Sequence, residues 1–222
     1  MNYWNCWSKF KTIWKLILKE ENMKFTKNII TIAVALAAAF AASCASTGSG
    51  NRQPVGSWNF ADPSGKTQGW YLVNSEFYQY HGPINLGYDD TTLGKGLLRL
   101  DVDFAKDKEL EWSEPKMAND FPRAYNMKGK TKFVFDFYYN PSFDTLGGHF
   151  KSKVFSNSNG IRVDSSGDAI EGGEDAGNGF LKQEVSIIIM PISGYMTDLR
   201  FSIAGYLTDY KGPVFFDNMR WE

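Results

Sequence analysis

Three side chains that alternate along one short segment have the chemistry needed to bind a sugar. An extended chain from Leu110 to Lys116 places Trp112, Glu114 and Lys116 on the same side. A flat indole ring packs on the apolar C–H face of a pyranose, while a carboxylate and an ammonium form charge-assisted hydrogen bonds with its hydroxyl groups. The alternative is that Trp112 is an ordinary core tryptophan and that its charged neighbours are only solvated.

Polar and aromatic side chains of other segments can extend this surface if their strands are neighbours. We expect Arg99, Asp101, Asp136, Tyr138 and Arg200 on the same sheet face, where they would line a shallow groove for a polysaccharide. The alternative is a ladder of surface salt bridges, each contributing about 0–1 kcal/mol. The sequence does not decide whether Trp70, which follows Gly69, packs in the core or binds a sugar. The predicted carbohydrate-binding set is therefore Trp112, Glu114, Lys116, Arg99, Asp101, Tyr138, Arg200 and Trp70.

The elements that must position these residues are predicted to be strands. After residue 55 there is no long helical period, and short alternating or aromatic runs are separated by Gly, Pro, Asn and Asp. This pattern predicts an all-β fold, an antiparallel β-sandwich. The glycine-rich, acidic stretch 164–179 is predicted to be a mobile loop. The expected strands are 55–60, 68–73, 76–81, 97–104, 109–117, 132–139, 148–156, 180–190, 197–204 and 213–221.

Alternation within these strands predicts which side chains form the core. Each apolar side chain that is buried contributes roughly 1.5–3 kcal/mol. Trp58 and Trp221, in the first and last strands, are also expected to be structural. The predicted core set is Leu98, Leu100, Val102, Phe104, Phe133, Phe135, Phe137, Tyr139, Val185, Ile187, Ile189, Leu199, Phe201 and Ile203.

The segment before the sandwich is typical of a secretion signal. Lys24 and Lys27 precede an apolar run over 29–40, which is too short to span a bilayer comfortably. The tetrapeptide that ends at Cys44 resembles the lipobox of bacterial lipoproteins. We therefore expect a mature protein that begins at an acylated Cys44 and is anchored outside the cytoplasm, at the outer membrane or the cell surface.

The division of the chain follows from this signal. Because a signal peptide belongs at an N-terminus, we expect Met23 to be the true start and 1–22 to be untranslated; the alternative is an extended signal peptide or a membrane-active helix. Residues 23–43 are then the signal peptide. The small polar residues of 44–54 are predicted to be a flexible linker, and 55–222 to be one domain.

Composition excludes several functional classes. Removing the six basic and two acidic residues of 1–44 leaves 18 basic and 23 acidic residues, and this acidic balance argues against nucleic-acid binding. Cys6 and Cys44 are the only cysteines, so the mature domain has no internal disulfide and no zinc site of the Cys/His type. With only His81 and His149, catalysis based on histidine is disfavoured.

The C-terminal segment carries a family resemblance. Ile203 to Tyr206, Thr208 to Val214 and Phe216 to Arg220 together resemble the closing strands of carbohydrate-binding modules with a galactose-binding-like jelly-roll fold. Trp58-Asn59-Phe60 before Gly69-Trp70, and 98–104 before Trp112, agree with that likeness. Within this superfamily the chain most resembles the mannan-binding modules of family 27, which are found on β-mannanases.

The resemblance implies a ligand and a metal. It implies binding of β-mannan or a related plant β-glycan, without catalysis, beside partner glycoside hydrolases. Many such modules hold a structural calcium near the first and last strands, and the matching positions are Asp217 and Asp62. Carboxylate and carbonyl oxygens are the ligands that calcium prefers.

Two other functions stay open. A glycoside hydrolase needs two carboxylates about 5–10 Å apart around a sugar, a role for which Asp101 and Glu114 are the candidates. A structural or adhesive envelope lipoprotein would keep the sandwich without a sugar site, and a buried Trp112 would favour it.

Overall fold

The computed structural model describes residues 56–61, 66–73, 80–158 and 161–222. The chain divides into two units, Met1–Arg52 and Gln53–Glu222, and every described residue belongs to the second. The predicted signal peptide, the linker 44–54 with Cys44, and Asp62 lie outside the described residues. Within the described residues, no helix has the length and apolarity to cross a membrane.

Thirteen strands lie in the described part of the chain. They are Ser57–Trp58 (β1), Trp70–Leu72 (β2), Asn85–Asp89 (β3), Leu97–Asp103 (β4), Trp112–Ser113 (β5), Lys116–Asn126 (β6), Lys132–Tyr139 (β7), His149–Ser158 (β8), Ile161–Ile170 (β9), Glu174–Gly177 (β10), Phe180–Ile188 (β11), Tyr195–Tyr206 (β12) and Lys211–Trp221 (β13).

These strands form two antiparallel sheets. One has seven strands in the order β10-β11-β7-β13-β4-β3, with β1 added to β13. The other has six strands in the order β2-β6-β12-β8-β9, with β5 added to β12. The prediction of an antiparallel β-sandwich is therefore confirmed.

The core lies between the sheets and is rich in aromatic rings. All of the alternating apolar residues that the sequence assigns to the core belong to one buried cluster, as do Trp58 and Trp221. Phe135 and Phe201 meet edge to face across the two sheets, with ring centroids 5.0 Å apart. Such pairs add about 0.5–1.5 kcal/mol to the burial of their area.

The acidic stretch 164–179, predicted to be a loop, is mostly strand. Most of it belongs to β9, which pairs with β8, and to β10, which pairs with β11. Strand β3 is a further element that the sequence did not predict. Strands β9, β10 and β3 end the two sheet orders, and edge strands tolerate charged and polar side chains. Their backbone pairing therefore needs no apolar alternation, which is the signal that the prediction used.

Candidate functional site

An aromatic row crosses the outer face of the six-stranded sheet. Tyr206 of β12 pairs with Trp112 of β5 on one side and with His149 of β8 on the other. The Tyr206 and His149 rings are stacked, with centroids 5.3 Å apart and planes 3° apart. The Trp112 ring lies 6.5 Å from Tyr206 at 26°. All three side chains are half-buried, so the row presents apolar ring surface to solvent.

Lysine side chains lie beside the aromatic row on the same face of the sheet. Lys151 Nζ lies over the Tyr206 ring, 5.1 Å from its centroid. Ser202 pairs with Lys116 on β6 and with Lys153 on β8, so the two lysines lie on either side of a small buried residue. Burial, with the nearby charge of Lys153, lowers the pKa of Lys116 despite the opposing attraction of Glu114.

Glu114 lies beneath this surface and supports it. Its side chain is buried and accepts a hydrogen bond of 2.5 Å from the Ser202 hydroxyl. The Lys116 ammonium lies 3.7 Å from the second Glu114 oxygen. Glu114 therefore holds β12 and Lys116 in place, and Lys116 is the more accessible of the two charged groups.

A shallow groove of about 450 Å³ continues along the face away from the aromatic row. Phe155 and Arg200 pair across β8 and β12 in its wall, and Lys116 Nζ lies 5.4 Å from the Phe155 ring centroid. Asp164 accepts from Lys153 at 3.0 Å, and this hydrogen bond holds the pKa of Asp164 below its usual value. Apolar and charged groups therefore alternate over the length of the face.

The short strand β5 is held in place by a buried carboxylate. Asp107 accepts a hydrogen bond of 2.6 Å from the Ser113 hydroxyl and one of 2.9 Å from the His81 backbone N–H. His81 Nδ1 lies 2.6 Å from the other oxygen of Asp107. Because Ser113 follows Trp112, these contacts fix the strand that carries the first ring of the aromatic row.

The predicted site residues divide between the two sheets. Trp112, Lys116 and Arg200 share the outer face of the six-stranded sheet, as expected, whereas Glu114 is buried beneath it and bonded to Ser202. The expectation that Arg99, Asp101, Asp136 and Tyr138 join them is wrong, because β4 and β7 belong to the seven-stranded sheet and their outward residues face the other way.

On the outer face of the seven-stranded sheet, the charged residues form a ladder of salt bridges, which was the alternative interpretation of the sequence. Arg99 contacts Asp101 at 2.8 Å and Asp89 at 3.1 Å. Lys182 contacts Asp136 at 3.0 Å. Tyr138 is buried and accepts a hydrogen bond of 2.7 Å from Lys95, so its ring has no surface to offer a sugar.

Trp70 is a core residue. Only 2% of its surface is exposed, and its ring meets Trp58 edge to face at 5.2 Å. Of the two interpretations left open by the sequence, the structure supports packing and excludes direct contact with a sugar.

Of the two calcium ligands that the resemblance implies, only Asp217 lies in the described residues. Asp62 lies outside them, and the buried Asp217 carboxylate is ion-paired with Lys95 at 2.8 Å. An ammonium at this distance repels a second cation, so Asp217 in this arrangement does not fit a calcium site. Within the described ranges there is no group of three or more Asp, Glu, His or Cys side chains suited to a metal ion. Calcium binding as such stays a prediction.

Several residues of this face were not predicted. Tyr206 continues the alternation of Asp198, Arg200 and Ser202, and following it for two more steps would have identified the ring. The outward residues of β8 alternate in the same way. They are His149, Lys151, Lys153 and Phe155.

Comparison with known proteins identifies the fold. No family model matches the sequence, and no curated protein matches it either. Among solved structures, CBM27-1 of Caldicellulosiruptor saccharolyticus, in complex with mannohexaose, is 20% identical with a TM-score of 0.58; the match covers 75% of this chain and 96% of that module. TmCBM27, a carbohydrate-binding module described for specific mannan recognition, is 18% identical with a TM-score of 0.55, over 76% of this chain and 96% of the module.

A third module has a different specificity. CBM28, described as specific for non-crystalline cellulose, is 23% identical with a TM-score of 0.54, over 70% of this chain and 88% of the module. The domain therefore has the β-sandwich fold of these carbohydrate-binding modules, and the resemblance predicted from the sequence is confirmed at the level of fold.

Proposed function

We propose that this protein binds a polysaccharide, without catalysis, on the outer face of its six-stranded sheet. The observation that carries the proposal is the aromatic row of Trp112, Tyr206 and His149, which lies beside Lys151 on an open sheet face. Ring surface contacts the C–H faces of sugars, and ammonium groups donate to their hydroxyls. An open face also admits a polymer, which a closed pocket would not.

The ligand we propose is β-mannan or a related plant β-glycan. Two modules with the same fold are described with mannohexaose or with mannan, and the third with cellulose. These polymers share a backbone of extended β-linked pyranoses, for which a row of rings on a sheet is a suitable surface. At this level of identity the likeness supports the class of ligand more strongly than the individual sugar.

The proposed location is the cell envelope. Acylation at Cys44 would anchor the domain outside the cytoplasm, where it would hold a glycan near partner glycoside hydrolases. The support for this part is the sequence of 23–44.

The other two functions have less support. Of the candidate pair of a hydrolase, Asp101 lies on β4 of the seven-stranded sheet, while Glu114 is buried against Ser202 of the six-stranded sheet. The two carboxylates therefore do not face one sugar. A structural lipoprotein without a sugar site would be favoured by a buried Trp112, but Trp112 is half-buried and belongs to a row of rings.

The test is calorimetric titration of the protein with soluble galactomannan, glucomannan and mixed-linkage β-glucan. We expect binding of about −4 to −7 kcal/mol per site, or millimolar to ten-micromolar dissociation constants. Binding to the two mannans alone would support the proposed ligand, and binding to the glucan would extend it to β-glycans in general. No heat with any of the three polymers would reject the proposal.

A further inference from the structure

One end of the sandwich carries exposed apolar side chains that its core does not use. Ile188, Met190 and Tyr195 have 78%, 82% and 55% of their surface exposed, and they lie where β11 ends and β12 begins. We call these three residues the apolar tip. Ile188 ends a strand of the seven-stranded sheet and Tyr195 begins one of the six-stranded sheet, so the three side chains share one end of the sandwich. Leaving large apolar side chains in water is unfavourable, and three of them at one end point to a contact surface there.

A basic turn lies beside the apolar tip. Residues 127–131 connect β6 to β7, and Met127 N–H donates to the Gly194 carbonyl while Ile189 N–H donates to that of Thr131. This turn and its flank carry the exposed Lys128, Lys130, which donates to the Trp221 carbonyl at 3.1 Å, and Lys132, which is ion-paired with Glu222 at 2.7 Å. Apolar and aromatic side chains next to lysines are the combination that binds at the surface of an anionic bilayer.

The chain enters the domain at the same end. The Gly56 carbonyl accepts a hydrogen bond from Trp221 N–H, and Glu222 bonds in turn with Lys132 beside the basic turn. Gly56 has φ of +81°, and a Cβ there would lie 2.8 Å from the Tyr125 ring, so the chain passes close against β6 at this point. Tyr125 pairs with Met196, next to Tyr195 of the apolar tip.

The aromatic row lies at the other end of the same strand. Tyr195 and Tyr206 are the first and last residues of β12, about 36 Å apart at 3.3 Å per residue. Cys44 precedes Gly56 by twelve residues, a tether that reaches about 40 Å when fully extended. Placing the aromatic row against the membrane would therefore require an almost fully extended tether, which is costly in entropy.

We infer that the apolar tip and its basic turn rest on the lipid bilayer to which the chain is anchored, so that the glycan-binding row is held at the end of the domain away from the membrane. The inference rests on the proposed acylation of Cys44. The apolar side chains and the Tyr195 ring would enter the headgroup region, where rings with one polar end are favoured. The exposed Lys128 would meet anionic headgroups, and Lys130, although it donates to the Trp221 carbonyl, would add its positive charge beside it.

The experiment measures the depth of single spin labels in vesicles. Met190→Cys and, as the matched control at the opposite end, Leu207→Cys are each labelled with a nitroxide; Leu207 is 61% exposed. Cys6 lies before the proposed cleavage point, and an acylated Cys44 does not react with the label. The lipidated protein is reconstituted in vesicles of phosphatidylethanolamine and phosphatidylglycerol, and acylation is verified by mass spectrometry.

Dissolved oxygen concentrates in lipid, whereas a nickel chelate stays in water. We expect the label at 190 to collide more often with oxygen than with the chelate. We expect the label at 207 to collide more often with the chelate. Lys128→Gln with Lys130→Gln should reduce the oxygen preference at 190. The matched pair Lys106→Gln with Lys108→Gln, exposed at the opposite end, should leave it unchanged.

Three outcomes would overturn the inference. Equal access of the nickel chelate to both positions would place the apolar tip in water. Protection of position 190 from both reagents would show that protein, for example a second copy of the chain, covers it. An unacylated Cys44 would remove the proposed anchor and the inference with it, whereas acylation with a water-exposed tip would leave the anchor intact.

Discussion

At the scale of single residues, the aromatic row is where a sugar would be bound. Trp112 and Tyr206 present half-buried rings on neighbouring strands, and truncation of either would remove surface that no other side chain replaces. We expect Trp112→Ala and Tyr206→Ala each to weaken polysaccharide binding about tenfold or more, equal to about 1.4 kcal/mol, as measured by calorimetry.

The matched control for these variants is Tyr195→Ala, which removes an exposed ring from the far end of β12. It should leave the affinity unchanged. If Tyr195→Ala weakens binding as much as the two row variants do, the site does not lie on the aromatic row.

Removing the Trp70 side chain should affect stability, whereas removing the Trp112 side chain should affect binding. Because its ring is buried against Trp58 and Phe201, Trp70→Ala should lower the free energy of unfolding by about 3–5 kcal/mol. The folded fraction should still bind polysaccharide with the affinity of the native protein. Denaturant unfolding with titration at low temperature measures both, and a weakened affinity of the folded fraction would contradict the assignment of Trp70 to the core.

At the scale of elements, the short strand β5 depends on Asp107. Burial raises the pKa of Asp107, but hydrogen bonds from Ser113 and His81 outweigh it and hold the pKa below the ordinary value of 3.8. A carboxyl group with a depressed folded pKa contributes stability that is fully present above the unfolded pKa and is lost as the pH falls through the folded one. The free energy of unfolding should therefore decrease as the pH is lowered below about 4.

Variants of this contact separate its contribution from that of other carboxylates. Ser113→Ala removes one hydrogen bond to a charged group and should cost about 1.5–3 kcal/mol. Asp107→Asn should be less stable at neutral pH and should lose less stability than the native protein on acidification. Denaturant unfolding at several pH values gives the comparison, and parallel pH profiles for Asp107→Asn and the native protein would show that Asp107 is not responsible.

At the scale of the whole molecule, the Asp217 carboxylate that the family resemblance implied as a calcium ligand is ion-paired on the seven-stranded sheet. Asp217 is held by Lys95, so Asp217→Asn should lower the melting temperature by the same amount in calcium and in chelator. Burial raises the pKa of Asp217, and the hydrogen bond and charge of Lys95 oppose this rise. If the chelator destabilises the native protein but not Asp217→Asn, then Asp217 is a calcium ligand after all.

The outer faces of the two sheets show which features of this protein can be predicted from the sequence. Alternation along a strand is local, and for this reason it predicted the core residues of β4, β7, β11 and β12 and the outward positions of Trp112, Lys116 and Arg200. The resemblance in the closing strands likewise predicted the sandwich fold.

Only the tertiary structure decided which outward residues meet. Arg99 and Tyr138 follow the same alternation as Arg200, but strand order depends on pairing between distant segments, and it places β4 and β7 in one sheet and β12 in the other. The same distant pairing brings Tyr206, Trp112 and His149 into one row, although they are separated by dozens of residues in the chain. A side chain's direction relative to its own strand is determined by local geometry, whereas the identity of its neighbours is determined by the packing of the whole domain.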